Sequence, residues 1–95
     1  MVSMVDTVWV ADLRISPATA EKITREHGLS ADEVNDAVKC VPGLRFTWND
    51  HPERGRRAIV EVSIRGCRCL IVLYPRLDDA FGDAWNLGSA YPIEG

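Results

Sequence analysis

The chain has no excess of positive charge, no long apolar run, and none of the short motifs that mark nucleotide or hydrolase chemistry. Eleven Lys and Arg stand against 14 Asp and Glu in 95 residues, a formal net charge of −3. That balance excludes a uniformly basic nucleic-acid binder. No apolar stretch approaches the roughly 18 residues of a membrane-spanning helix, and no leader-like pattern is visible. G-x-x-x-x-G-K-[ST], G-x-G-x-x-G and G-x-S-x-G are all missing, which removes the P-loop, dinucleotide and α/β-hydrolase readings. Cysteine is scarce and odd in number: Cys40, Cys67 and Cys69. Cys67 and Cys69 are two apart in a strand-like run, too straight to bridge easily. His27 and His51 lack the Cys or carboxylate spacing of a zinc site. A soluble protein in a reducing, cytoplasmic setting is expected, with no metal, no cofactor and no membrane partner. Its cysteines are expected to be small core residues.

What is present is an ordinary globular composition, 46% hydrophobic and 26% charged, in a 10.6 kDa chain. That is room for one core. Residues 1–6 read as a loose tail and 7–95 as a single domain.

The punctuation is clear. Thr7–Ala11 is rich in β formers and predicts a first strand. Ser16-Pro17 caps and opens a helix that Gly28 stops near His27. A histidine there suits the negative end of a helix dipole. Ser30 with Glu33 is a capping box for a second helix, whose stripe is Val34, Ala37, Val38 and Val41, ended by Pro42-Gly43. Period-two strands follow: Leu44–Trp48, Arg56–Ile64, Cys67–Tyr74 and Ala84–Tyr91. Asn49–Gly55 and Arg76–Asp83 read as loops. The expected fold is α+β, ordered β-α-α-β-β-β-β, a twisted and mostly antiparallel sheet with a helix pair on one face.

Charge is unevenly spread. Residues 45–76 hold all their seven positive charges as arginine: Arg45, Arg54, Arg56, Arg57, Arg65, Arg68 and Arg76. Arginine offers a planar fork that fits phosphate oxygens two at a time. If Arg65-Gly66 is a two-residue turn, Ile64 pairs with Cys67, Val62 with Cys69, Val60 with Ile71 and Ala58 with Leu73. That apolar face should meet the helices. The opposite face then carries Arg57, Glu61, Arg68 and Tyr74. A phosphodiester site fits these groups, with Glu61 as a base and a tyrosine or other aromatic to stack on a base. A solvated sheet face with arginine–carboxylate pairs accounts for the same residues. His51 reads as catalytic or as an exposed loop residue. The tryptophans Trp9, Trp48 and Trp85 fall on predicted strands, where packing is the default. Trp85, Leu87, Ser89 and Tyr91 read as one face of the last strand, an edge on which a second copy could dock.

Three stretches resemble the BrnT-type toxins of the RelE superfamily, small ribonucleases of bacterial toxin–antitoxin pairs. Ala20–Val38 (A-E-K-I-T-R-E-H-G-L-S-A-D-E-V-N-D-A-V) is similar to that family's helix pair. Glu53–Gly66 resembles its loop and strand closing on a glycine turn. Asn86–Ile93 (N-L-G-S-A-Y-P-I) resembles its last strand, with Tyr91 where the family has arginine. The resemblance implies a RelE-like fold and metal-independent RNA cleavage. It implies Glu61 as base, Arg57 and Arg68 as phosphate clamps, and His51 or Tyr74 as acid. Arg54 and Arg56 would position the RNA backbone, with Arg45 and Tyr91 as further contacts. RNA, with or without the ribosome, and a cognate antitoxin would be the partners. The acidic balance and Tyr91 raise an alternative: a catalytically inactive RelE-like module that engages a protein partner.

Overall fold

The structure, a computed structural model, describes residues 7–76 and 83–93. The tail expected at residues 1–6 and most of the acidic loop, 77–82, lie outside the described residues. In order the elements are β1 (Thr7–Val8), β2 (Asp12–Arg14), α1 (Pro17–His27), α2 (Ala31–Val38), β3 (Leu44–His51), β4 (Gly55–Ile64), β5 (Cys67–Pro75) and β6 (Ala84–Pro92). They form an α+β domain, and no helix among the described residues is long and apolar enough to cross a membrane.

Both helices begin and end where their caps dictate. The Ser16 hydroxyl accepts from the Thr19 amide at the start of α1. Gly28 takes the left-handed conformation at its end, φ 68°, while the Gly28 and Leu29 amides return to the Thr24 and Ile23 carbonyls. This is the glycine-closed turn that uses up the last free carbonyls. Ser30 and Glu33 exchange both bonds of a capping box. Helix α2 stops at Val38, four residues before Pro42, because Cys40 turns to positive φ and its amide bonds the Val10 carbonyl instead.

The sheet order is β1-β3-β4-β5-β6-β2, antiparallel except for the β2–β6 pair. The single strand expected over Thr7–Ala11 is therefore two short strands on opposite edges. Val8 and Asp12 are four residues apart, a reach of about 14 Å at most. Six flat strands would put the edges about 24 Å apart. The sheet has to curl, and rings from β3 and β6, Trp48 and Trp85, lie 6.3 Å apart across it. The core fills the inside of this curl. Val60, Ile71, Leu73 and Ala90 meet Ile23, Val34 and Val38 there, all fully buried.

The strands β3 and β4 run longer than the periodicity suggests, to His51 and from Gly55, leaving only Pro52–Arg54 as a turn. The last strand departs more. The β5–β6 register slips between Val72 and Leu73, and Gly88 is the extra residue. Such a bulge flips the alternation. Trp85 and Leu87 go into the core, while Ser89 and Tyr91 face the other way. The aromatic row expected along one face of this strand does not exist, and Trp85 is buried. Of the cysteines only Cys69 is a core residue, since Cys40 and Cys67 are exposed.

Candidate functional site

The two-residue turn at Arg65-Gly66 sets the β4–β5 register as expected, from Ile64–Cys67 to Ala58–Leu73. Both turn residues have positive φ, the signature of a turn whose twist matches the strands. Arg57, Glu61, Arg68 and Tyr74 therefore share the face turned away from the core. Arg45 and Tyr91 join them by register. Arg56 belongs to the opposite face, and Arg54 and His51 flank the β3–β4 turn.

A shared face is not a shared pocket. Glu61 and Arg68 are diagonal neighbours, with Arg68 Nη2 and Nε at 2.5 and 2.7 Å from Glu61 Oε2. Arg57 lies four residues from Glu61 along β4 and Tyr74 four residues from Leu70, the cross-strand partner of Glu61, so both are about 13 Å from Glu61. Glu61 lines one open groove of about 880 Å³ with Arg45, Thr47, Ile59, Ser63 and Leu70. Tyr74 and Arg54 line another, of about 540 Å³, with Lys22, Asn86, Leu87 and Gly88.

The second groove brings together cations from separate elements. The guanidinium of Arg54 lies 5.6 Å from the centre of the Tyr74 ring. The ring rests on Gly88: a Cβ built there would overlap the ring edge, with Cδ2 at 2.8 Å. The bulge glycine is thus the seat that lets tyrosine lie against the backbone. Below it Val72 is buried although it belongs to the outer face. Helix α1 borders the groove with Ala18, Thr19 and Lys22. Further along, its terminal His27 ring lies 6.0 Å from Tyr91. Arg57 donates from Nε to Asn49 Oδ1 at 2.9 Å across the β3–β4 pair.

His51 has a structural task. Its Nδ1 accepts from the amides of Glu53 and Arg54, at 3.1 and 3.0 Å, and so closes the turn. That bonding requires the ring nitrogen to be unprotonated.

Seven arginines thus divide into two sets. Arg65 binds Glu33 at 2.6 Å and the Gly28 carbonyl at 2.7 Å, Arg68 binds Glu61, and Arg76 binds Asp12 at 3.2 Å. Arg45, Arg54, Arg56 and Arg57 have no carboxylate within 4 Å among the described residues; Arg56 lies on Trp48, 4.4 Å from its centre. Cation–ring and amide contacts hold a guanidinium in place without cancelling its charge.

Among the described residues two groups titrate away from their ordinary values. The Ser30 amide, reinforced by Arg65, holds the Glu33 carboxyl low. Burial pushes the Cys69 thiol up. No cluster of three metal-ligating side chains occurs among the described residues.

Reading the sequence missed Lys22, Asn86 and the part played by Gly88. A lone glycine inside a strand is itself a bulge signal and pointed to that place. Nothing local places Lys22, since only the docking of α1 beside β6 brings it there. No known protein family, curated protein or solved structure matches this chain.

Proposed function

We propose that the chain is a toxin-like, RNA-directed protein that holds the RNA backbone at the β3–β4 tip. The observation that carries this reading is Arg54 on the Tyr74 ring with Lys22 across the same groove, and Arg57 on the same strand end, neither arginine having a carboxylate partner among the described residues. Phosphate oxygens take up such free guanidinium donors, and the tyrosine offers a ring on which a base can stack. The net acidity of the chain, −3, does not oppose it, because Arg54, Arg56 and Arg57 gather at the β3–β4 tip with no carboxylate within 4 Å among the described residues.

As an endoribonuclease of the kind the resemblance implies, the site would act without metal. The 2′-oxygen would attack phosphorus, losing its proton to a base, and the 5′-oxygen would leave with a proton from an acid. Arg54 and Arg57 would suit the charge on the phosphate, and Tyr74 and Lys22, which line the groove, would be its proton donors. Glu61 lies too far along the ribbon to serve the same phosphate as Tyr74, by about 13 Å. The second reading, a catalytically inactive RelE-like module engaging a protein partner, is favoured by the Glu61–Arg68 pair, which occupies both the proposed base and a proposed clamp.

A labelled single-stranded RNA incubated with the chain, with and without EDTA, separates the readings. Binding with EDTA-resistant cleavage that Tyr74→Phe abolishes supports the nuclease. Binding without cleavage leaves the RNA-binding reading alone. RNA that neither binds nor breaks, at salt near 0.1 M where phosphate contacts are strong, removes both and leaves the protein-partner module.

A further inference from the structure

We propose that single-stranded RNA leaves the β3–β4 tip across the strands rather than along them, and that Arg14, on the edge strand β2, holds a phosphate at the far end of that path. The path rests on the RNA reading and extends its site to a strand that lines neither groove.

The registers set one row straight across the outer face. Arg57 pairs with Asn49 on β3 and stands opposite Tyr74, next after the Ala58–Leu73 pair. Tyr74 is level with Asn86 on β6, and Asn86 with Arg14 on β2. Leu13, the residue before Arg14, is buried in the core with its partner Trp85. Alternation therefore turns Arg14 outward, and it is exposed. Three strand spacings separate Arg57 from Arg14, about 14 Å. The bulge at Gly88 makes the row. Without it Leu87 would stand opposite Tyr74, and Asn86 with Arg14 beside it would turn to the core.

Charge favours this direction. Arg14 has no carboxylate within 4 Å among the described residues. Asp12, two residues back on the same face, is held by Arg76 at 3.2 Å. Arg57 rests on Asn49 and Arg54 on the Tyr74 ring. Guanidinium groups without a carboxylate thus stand at both ends of the row. Between them lie a ring for stacking and an amide that offers a donor and an acceptor to a base edge. The route along the strands is poorer. From Arg57 the same face of β4 carries Ile59 and then Glu61, whose carboxylate already holds Arg68. From Tyr74 the same face of β5 carries Val72 and Leu70. Phosphates running that way cross an apolar step and meet a carboxylate.

The test titrates fluorescein-labelled single-stranded RNAs of increasing length against the full chain by anisotropy, at several salt concentrations. Arg14→Gln keeps the stem and removes the charge. For RNAs long enough to reach from Arg57 to Arg14 it should weaken binding several-fold and lower the salt slope by about one. RNAs too short to span the row should bind it as they bind the parent. Arg14→Lys should restore most of the affinity. Lys39→Ala, which removes a charge from an exposed residue off the row, should leave affinity within about twofold. If the parent binds RNA and Arg14→Gln loses nothing, or loses equally at every length, the path is overturned and the RNA reading stands. A length-dependent loss from Arg45→Ala in place of Arg14→Gln overturns it too, by running the RNA along β4. RNA that the parent binds at no length removes both.

Discussion

At its amino end β4 holds Arg56 and Arg57, just after the turn residue Arg54. At its carboxyl end it runs into Arg65, with Arg68 beyond the bend. The carboxyl-end arginines are spent on structure. Arg65 ties the β4–β5 turn to the cap of α2 and to the link between the helices, and Arg68 closes on Glu61. The amino-end arginines rest on an indole, a phenol ring and an amide. One residue type on one strand thus serves as a fastener at one end and as free charge at the other. What differs is whether a carboxylate lies within reach of the guanidinium. Asp50 and Glu53 are near the tip in sequence, yet neither forms an ion pair there among the described residues.

The contrast can be broken most severely at Gly88. Gly88→Ala would push a methyl into the Tyr74 ring, and a misfit of this kind costs about 1–3 kcal/mol. Thermal or urea unfolding should read that loss, and RNA affinity should fall with it as the ring and Arg54 shift. Next comes charge. Arg54→Ala with Arg57→Ala should lower RNA affinity about tenfold at physiological salt and flatten its salt dependence. Arg65→Ala with Arg68→Ala should leave affinity within about twofold, as measured by a titration across salt. Equal losses from both pairs would erase the distinction drawn here.

The fastening end has its own signatures. Arg68→Ala should cost at most about 1 kcal/mol in unfolding experiments, because both partners are largely exposed. Glu33 supplies a pH signature. Its carboxyl is held low in the folded chain, so it stabilises fully above the unfolded carboxylate value, about 4.3. That stabilisation drains away as pH falls through the lower folded value. The difference between the parent and Glu33→Gln should therefore be largest near neutrality and close on acidification, read by unfolding at several pH values. The smallest effect is chemical. Cys40 and Cys67 should react with a thiol reagent at once, and buried Cys69, its thiol pushed up by burial, only on unfolding.

Much of the fold follows from local rules. Ser16-Pro17, Gly28, Ser30 with Glu33, and Arg65-Gly66 each act over a few residues, and each forms where its chemistry requires. The alternation of Arg56–Ile64 is likewise enough to place Arg57 and Glu61 on one face, since the pleat has period two. The candidate site was legible only in part. Its face could be read, but the about 13 Å between Glu61 and Tyr74 follows from where each residue falls along its strand. The occupation of His51 by its own turn was equally invisible, because a histidine beside proline says nothing of where its ring points.

By itself the sequence determined the helix caps, the hairpin register and the faces of β4 and β5, because these depend on neighbours a few residues away. The tertiary structure alone decided that Thr7–Val8 and Asp12–Arg14 sit on opposite edges of a curled sheet. It also decided that Gly88 reverses the last strand and seats Tyr74, that Lys22 reaches the same groove, and which arginines find carboxylates. Those outcomes turn on contacts between segments far apart in the chain, where closure of the whole sheet, rather than any local preference, sets who meets whom.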